Sequence, residues 1–131
     1  MSLSQIVRGI YEAFGRRDVG HILGRLAPDV RWEQPAQSVD APWLASRTGR
    51  AAVGEFFASL GALDFRQFQV TAVIEGGNIV IALVDVEFVV KANGRTVVDQ
   101  DEVHIWRFDD AGLVTQFRHR LDTHKHALAV A

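Results

Sequence analysis

The sequence predicts an α+β domain in which helices precede an antiparallel sheet. Apolar residues recur at spacings of three and four in the first part of the chain and at a spacing of two from residue 64 onward. Short turn sequences, Gly76-Gly77, Asn93-Gly94 and Asp109 to Gly112, divide the second part into four strands. Strands joined in this way pair antiparallel, and we expect the helices to cover one face of the sheet.

Three helices are predicted before the sheet. The first closes between Gly15 and Asp18, and Asp18 is the expected N-cap of a short second helix that Pro28 ends. The third is expected to start at Thr48 and stop at Gly61. Their apolar stripes are Ile6, Val7, Ile10, Tyr11 and Phe14 in the first helix, Val19, Ile22, Leu23 and Leu26 in the second, and Val53, Phe56, Phe57 and Leu60 in the third.

The remaining segments are strands and one long loop. "VRWEQP" predicts a short strand after the second helix, and residues 36 to 47 show no sustained period, which indicates a loop anchored by Trp43. The four later strand candidates are "FRQFQVTAVIE", "NIVIALVDVEFVVKA", "RTVVDQDEVHIWRF" and "GLVTQFRHRL". In the second of these, alternation places Val84, Val86, Phe88 and Val90 on one face, and Ile79, Ile81, Leu83, Asp85 and Glu87 on the other.

Composition limits the class of protein and of partner. A chain of 131 residues with 48% hydrophobic residues predicts one domain, residues 1-131, with a real core. A formal net charge of -2 gives no broad basic field, so we expect neither nucleic acid nor a membrane surface as a partner. No apolar run reaches the ~18 residues of a membrane span, and the lack of cysteine fits a reducing cytoplasm.

Ionisable residues interrupt the predicted inner face of the last two strands. Alternation places Glu102, His104 and Trp106 on one side of the first of these strands, and Phe117, His119 and Leu121 on one side of the second. If Phe108 pairs with Leu113, Glu102 lies opposite His119 and His104 lies one diagonal away. The pattern therefore predicts a polar cluster in an otherwise apolar pocket.

The order of these segments resembles the SnoaL-like branch of the nuclear transport factor 2 (NTF2)-like superfamily. The resemblance rests on "IYEAFGRRDVGHILGRLAPDVRWEQP", "GRAAVGEFF" and "FDDAGLVTQFRHRLDTHKHALA", which together extend over nearly the whole chain. It implies a cone-shaped, cystatin-like α+β fold, with three N-terminal helices packed on a curved, mostly antiparallel sheet that encloses a pocket. The superfamily includes ketosteroid isomerases, polyketide cyclases and limonene-epoxide hydrolases, so the fold alone does not determine function.

Two of these activities are disfavoured by the matching residues. The resemblance places the isomerase tyrosine at Ile10, its base at Gln34 and its protonated aspartate at His104, and neither Ile10 nor Gln34 has the required chemistry. Tyr11, one position along, is expected to point about 100° away on the helix. For the epoxide hydrolases the matches are Trp32, Gln34 and His119, without the required arginine and aspartate.

The polyketide cyclases give the better match. Their strand histidine aligns with His104 and their last-strand aspartate with His119. We therefore expect His119 to act as base, Glu102 to orient or charge it, and His104 to polarise a carbonyl group or hold an oxyanion. Gln34 is expected to orient ligand or water, and the remaining ligand-binding residues are predicted to be Trp32, Trp106, Phe117 and Leu121.

The leading hypothesis is a small cofactor-free enzyme that carries out proton transfer on a small apolar carbonyl compound. The alternative is a non-catalytic ligand-binding or dimerisation module. No cofactor or metal is expected, because "EGGNI" lacks the spacing of a nucleotide loop, and His124 and His126 lie beyond the last strand. Asp122 is expected to cap the C-terminal tail. A homodimer through Ile79, Ile81 and Leu83 is expected on the outer sheet face.

Overall fold

A six-stranded sheet curves around the helices in the computed structural model, which describes residues 1-34 and 41-130. The strand order is β2-β1-β6-β5-β4-β3, and every neighbouring pair is antiparallel except the parallel pair of β1 and β6. The elements are α1 (Leu3–Gly15), α2 (Val19–Gly24), β1 (Leu26–Glu33), β2 (Arg47–Thr48), α3 (Arg50–Ser59), β3 (Leu63–Gly76), β4 (Ile79–Val90), β5 (Thr96–Phe108), β6 (Val114–Arg120) and α4 (Thr123–Val130).

The first helix forms as its sequence predicts. Ser2 and Gln5 make a reciprocal capping box, in which Gln5 N donates to Ser2 Oγ at 3.1 Å and Ser2 N donates to Gln5 Oε1 at 2.8 Å. Ile6, Val7 and Ile10 are buried against the sheet. No helix of the described residues is long and apolar enough to cross a bilayer.

The second and third helices differ from their predicted limits. Helix α2 ends at Gly24, so Leu26 and Pro28, predicted to lie within and to end this helix, belong to β1. Pairing with β6 draws Leu26 into the sheet opposite Val114, and Pro28 falls in the irregular stretch of that ladder, where a missing N–H does least harm. Thr48 does not cap α3: it pairs with Arg31 in β2, and Gly49 takes the N-cap position at φ 88°.

Only part of the predicted loop from 36 to 47 can be compared with the structure, because residues 36 to 40 lie outside the described residues. The part that is described contains a short 3-10 turn, Pro42–Leu44, before β2. Trp43 is buried, as expected of an anchor. Helix α3 ends at Ser59, and a second 3-10 turn, which includes Gly61, leads to β3.

The last four strands form the predicted antiparallel meander. Residues of β4 alternate between buried and partly exposed along its whole length, with Val84, Val86 and Phe88 facing the helices. Asp85 and Glu87 face away from the core, and Asp85 Oδ1 accepts a hydrogen bond from Asp101 N at 3.0 Å. The predicted assignment of the two faces is confirmed.

A bulge in β5 sets which residues of that strand face inward. Gln100 and Asp101 are both exposed and together lie opposite Asp85, and Asp101 has a φ of 57°. The extra residue changes the phase of the alternation, so that Asp99 and Glu102 both point inward although they are three residues apart. The strand thus brings two carboxylates to the same face.

The predicted pairing of β5 with β6 is wrong by two residues. Phe108 pairs with Val114 instead of Leu113, and Thr115 is an extra residue in β6, so His104 lies directly opposite His119. Each of these irregularities shifts the register by one position. Two shifts restore the original face, so the inward residues remain those that alternation predicts.

Helix α4 was not predicted; the sequence indicated only a C-terminal tail capped by Asp122. Asp122 Oδ1 accepts from Lys125 N at 3.2 Å, which confirms Asp122 as a cap and starts the helix. The far end is held by Asn93 Nδ2, which donates to Ala129 O at 2.7 Å. His126 and Ala129 are buried on its inner side.

Candidate active site

An apolar cavity lies between the helices and the inner face of the sheet. The volume accessible to the centre of a water molecule is about 90 Å³. Most of its lining is aromatic, and the polar groups come from α1, β5, β6 and α4, namely Tyr11, Glu102, His104, His119 and His126. The cavity therefore has one polar end within hydrophobic walls.

The predicted aromatic walls are in place. Trp32, Trp106 and Phe117 all line the cavity and are almost fully buried. Trp32 stacks on Phe117 with ring centroids 4.1 Å apart, and Trp106 lies 4.6 Å from Phe117. Among the described residues the Trp32 Nε1–H has no hydrogen-bond partner, so this buried donor is free for an acceptor on a ligand.

Glu102 is the centre of the polar end and is 3% exposed. Its Oε1 lies 2.7 Å from His119 Nε2 and 3.7 Å from His104 Nε2, and its Oε2 lies 3.6 Å from His126 Nε2. Burial alone would raise the pKa of the carboxyl group, but the three histidine side chains lower it by more, and the net pKa is well below its usual range. Glu102 is therefore a buried carboxylate.

Tyr11 and Trp106 fix the proton of His104. Trp106 Nε1 donates to the Tyr11 hydroxyl at 3.1 Å, and the hydroxyl lies 2.6 Å from His104 Nδ1. With the Tyr11 proton given to Nδ1, the neutral ring carries its own proton on Nε2, facing the carboxylate of Glu102. Burial lowers the pKa of His104 to about 4, so the ring stays neutral near neutral pH.

Tyr11 is part of the site, contrary to the expectation that it points elsewhere on the helix. The Tyr11 side chain reaches from α1 to β5 and lines the cavity beside His104. Burial raises the pKa of Tyr11 above its usual range, which keeps its proton available for His104. The expectation considered only the direction of the side chain on an isolated ideal helix. In the folded protein the curved sheet comes close enough to contact the side chain of Tyr11.

His119 joins Glu102 to Gln34. Its Nε2 lies 2.7 Å from Glu102 Oε1 and its Nδ1 lies 3.0 Å from Gln34 Oε1. The carboxylate of Glu102 can only accept, so His119 Nε2 carries a proton, while Nδ1 faces the side-chain amide of Gln34, whose Nε2 has no hydrogen-bond partner among the described residues. Gln34 is buried and acts through His119; it is not part of the cavity lining.

His126 and Asp99 complete the polar end, and neither was predicted as a site residue. Trp43 Nε1 donates to His126 Nδ1 at 3.0 Å, so the proton of this neutral ring is on Nε2, which lies 3.5 Å from Asp99 Oδ2. Burial raises the pKa of Asp99. The available signals were the predicted anchor at Trp43 and the spacing of His126 and Ala129, which falls on one helical face.

Leu121, predicted to bind ligand, does not line this cavity. Strand β6 ends at Arg120, so the alternation that would turn Leu121 inward has already stopped. Its side chain instead borders a separate surface depression beside Val98, Val103 and Asp122. The other predicted lining residues on β5 and β6 are correctly placed.

Two groups of side chains are close enough to be considered as metal ligands: Glu102, His104 and His119, and Asp99, Glu102 and His126. In the first, 2.7 Å between His119 Nε2 and Glu102 Oε1 is a hydrogen bond and is shorter than the roughly 3.3 Å between ligands of a tetrahedral ion with ~2 Å bonds. In the second, the Trp43 donor leaves the His126 proton on Nε2, the atom a metal would need. The absence of a metal stays a prediction.

Comparison with known proteins identifies the family. Residues 7–117 match the SnoaL-like domain family. An NTF2-like protein of unknown function from Burkholderia pseudomallei is 30% identical, with 100% of this chain and 99% of that chain covered and a TM-score of 0.87. TerC, crystallised with polyporic acid, is 25% identical, with 98% of each chain covered and a TM-score of 0.82.

A third similar structure is a candidate polyketide cyclase from Xanthomonas campestris pv. campestris. It is 25% identical, with 98% of this chain and 96% of that chain covered and a TM-score of 0.75. The comparison with curated proteins gave no match. The matched residues and the shared α+β cone show that this chain belongs to the SnoaL-like domain family of the NTF2-like superfamily.

Proposed function

We propose that this protein is a small enzyme that transfers a proton at a carbon next to the carbonyl group of a small apolar compound. One observation carries the proposal: a neutral imidazole, His104, and an imidazole paired with a carboxylate, His119, face each other in an aromatic cavity. Two imidazoles with different hydrogen-bond partners can take different roles in acid–base catalysis, one as base and one as hydrogen-bond donor. No cofactor is required for such a step.

His104 supplies the electrophile. Its Nε2–H has no hydrogen-bond partner among the described residues and is buried at the cavity. A carbonyl oxygen bound there would accept this proton in a hydrogen bond, and the negative charge that develops on the oxygen would be stabilised. Tyr11 is a positioning residue, because its hydroxyl sets which nitrogen of His104 carries the proton.

His119 exchanges the proton. Glu102 holds Nε2–H, so Nδ1 is the atom that can give or take a proton, and in the resting protein it faces Gln34 Oε1 at 3.0 Å. When the hydrogen bond to Gln34 opens, Nδ1 of the neutral ring is free to act as base. It then accepts the proton from the ligand carbon as the C–H electrons form the enolate, and returns it to another carbon of the same ligand.

The structural relatives support this class of function. Among them are a candidate polyketide cyclase and TerC, which was crystallised with polyporic acid, a small ligand. The 90 Å³ volume is smaller than the roughly 150 Å³ apolar cavity that accepts benzene in another protein. A ligand would therefore place only a small apolar part inside and extend the rest toward the opening.

Hydrogen–deuterium exchange tests the proposal without knowledge of the product. The protein is incubated in D₂O with one- and two-ring ketones such as 1-indanone and 2-tetralone, and deuterium next to the carbonyl is followed by NMR. We expect catalysed exchange that falls by about 100-fold in His119→Gln and in His104→Gln. His124→Gln, on the exposed side of α4, is the matched control and should retain the wild-type rate.

A second candidate is a non-catalytic ligand-binding module. The observation in its favour is that both nitrogens of His119 are occupied by protein partners, as in a purely structural histidine. The hydrogen–deuterium exchange experiment distinguishes the enzyme from the binding module. Saturable ketone binding with exchange at the uncatalysed rate would contradict the enzyme and support the binding module.

We also propose a homodimer through the outer sheet face. Ile79, Ile81 and Leu83 remain partly exposed in the single chain, and Ile81 pairs with Ile74, which is 59% exposed, and with Ile105. Contiguous apolar surface of this kind favours self-association. Light scattering at micromolar concentration should give twice the chain mass for the wild type and the chain mass for Ile81→Glu, and a monomeric wild type would contradict the proposal.

A further inference from the structure

A wide vestibule lies beside the cavity, between α1 and β3. The vestibule offers about 720 Å³ to the centre of a water molecule, eight times the enclosed volume. The two spaces are adjacent, because they share the lining residues Tyr11, Phe14, Phe57, Leu60, Leu63, Phe65 and Phe68. A ligand too large for the cavity would pass this aromatic collar and end in the vestibule.

Three cationic side chains reach the vestibule from different parts of the chain. Arg8 lies on α1, Arg17 follows α1 and Lys91 follows β4. All three residues are exposed, and no ion pair within residues 1-34 and 41-130 involves them. The fold therefore collects free positive charge at one opening.

The acidic residues of the same vestibule do not cancel this charge. Asp64 is already paired with Arg66 at 3.0 Å, which leaves Glu12 as the uncompensated acid against three cations. The whole chain, by contrast, carries a net charge of -2. The vestibule is thus locally positive, although the whole chain is negative. The positive potential is local to this opening of the cavity, which we call its mouth.

We propose that the ligand of this cavity is an amphipathic aromatic anion, whose ring lies among the aromatic walls and whose carboxylate-class group lies at Arg8, Arg17 and Lys91. The ring would lie against the aromatic side chains that line both spaces, and the anion requires no buried charge because it stays in the wet vestibule. The inference rests on the proposed function only in using the same cavity. It does not depend on any proton transfer.

Exposed charges of this kind act mainly through selectivity and rate of encounter. Each contact between an anion and a solvated arginine or lysine is weak, and salt screens it over about 10 Å at 0.1 M ionic strength. Together, the three charges raise the positive potential of the vestibule, and we expect a combined effect on the order of tenfold in affinity for an anion. Neutral compounds with the same ring system would not gain this affinity.

A pair of fluorescent probes tests the proposal. 8-Anilinonaphthalene-1-sulfonate is an aromatic anion, and N-phenyl-1-naphthylamine has the same ring system without the anionic group. Each is titrated into the full chain at low and at high salt. The test variant is Arg8→Gln/Arg17→Gln/Lys91→Gln, and the matched control is Arg16→Gln, whose arginine is paired with Asp18 at 3.6 Å and does not line the vestibule.

We expect the triple variant to weaken binding of the anionic probe by about tenfold, to remove most of its salt dependence and to leave the neutral probe unchanged. The control should behave as wild type with both probes. Equal loss for both probes, or no loss for the anionic probe, would overturn the proposal. Because binding is measured, failure of ketone exchange leaves this result intact, and failure here leaves the exchange result intact.

Discussion

The base of the cavity and its mouth both carry charge, but in opposite surroundings. At the base, Glu102 is buried among three imidazoles and accepts a hydrogen bond from His119. At the mouth, Arg8, Arg17 and Lys91 are exposed and form no ion pair with any described residue. A buried charge is costly unless its partners are in place, and a solvated charge costs little in any arrangement. The base should therefore control stability and chemistry, and the mouth should control only which ligands enter.

The largest effect is expected from Glu102→Gln. The substitution removes the buried carboxylate that accepts from His119 Nε2, and it places a neutral amide among three buried imidazoles. We expect a loss of about 3–5 kcal/mol in the free energy of unfolding, measured in urea. Glu87→Gln, on the outward face of the adjacent strand, is the matched control and should change it by less than about 0.5 kcal/mol.

The buried groups at the base of the cavity also determine how stability depends on pH. Because the pKa of His104 falls from its ordinary 6.5 to about 4 in the folded protein, the unfolded chain binds the extra proton between these values. Stability is therefore complete above pH 6.5 and is lost as pH falls toward 4, by roughly 3 kcal/mol. Glu102, whose pKa is also lowered, adds a further loss below its ordinary 4.5, and Asp99, whose pKa is raised, opposes part of it.

Urea unfolding at several pH values between 7 and 4 measures this slope. His104→Gln removes the titrating group and should flatten the curve between pH 6.5 and 4.5. His124→Gln, on the exposed side of α4, should leave the slope unchanged. An equal slope in wild type and His104→Gln would show that this ring does not carry the dependence.

A smaller effect is expected from Trp43→Phe, which removes the donor to His126. The buried acceptor Nδ1 then has no partner, and we expect a loss of about 1–3 kcal/mol together with faster hydrogen exchange in α4. Trp32→Phe makes the same chemical change where Nε1 has no described partner, and its loss should be smaller. Equal losses in the two variants would contradict the proposed role of the Trp43 hydrogen bond.

The smallest effect on stability is expected at the mouth. Neutralising Arg8, Arg17 and Lys91 removes exposed charges without ion-pair partners in the described chain, so the free energy of unfolding should change by less than about 0.5 kcal/mol. Urea unfolding of the triple variant beside Arg16→Gln measures this. A loss above 2 kcal/mol would show that the mouth is part of the structural core and remove the contrast with the base.

Alternation in the sequence was sufficient to predict most of the site. The period of two placed Glu102, His104, Trp106, Phe117 and His119 on one face, because side chains of a strand alternate regardless of which residue of the partner strand they meet. It failed for Leu121, where the strand had already ended. It also gave the wrong partner for His104, because bulges change the register without leaving a clear signal in composition.

The sequence by itself determined the α+β class, the order of the elements and the two faces of the sheet, since these follow from local periodicity and turn chemistry. Only the tertiary structure decided that Tyr11 and Trp43 donate to His104 and His126, and that Asp99 joins Glu102. These contacts join residues tens of positions apart. Their geometry depends on how the sheet curves and on where α4 docks, and neither is encoded in any short stretch of the chain.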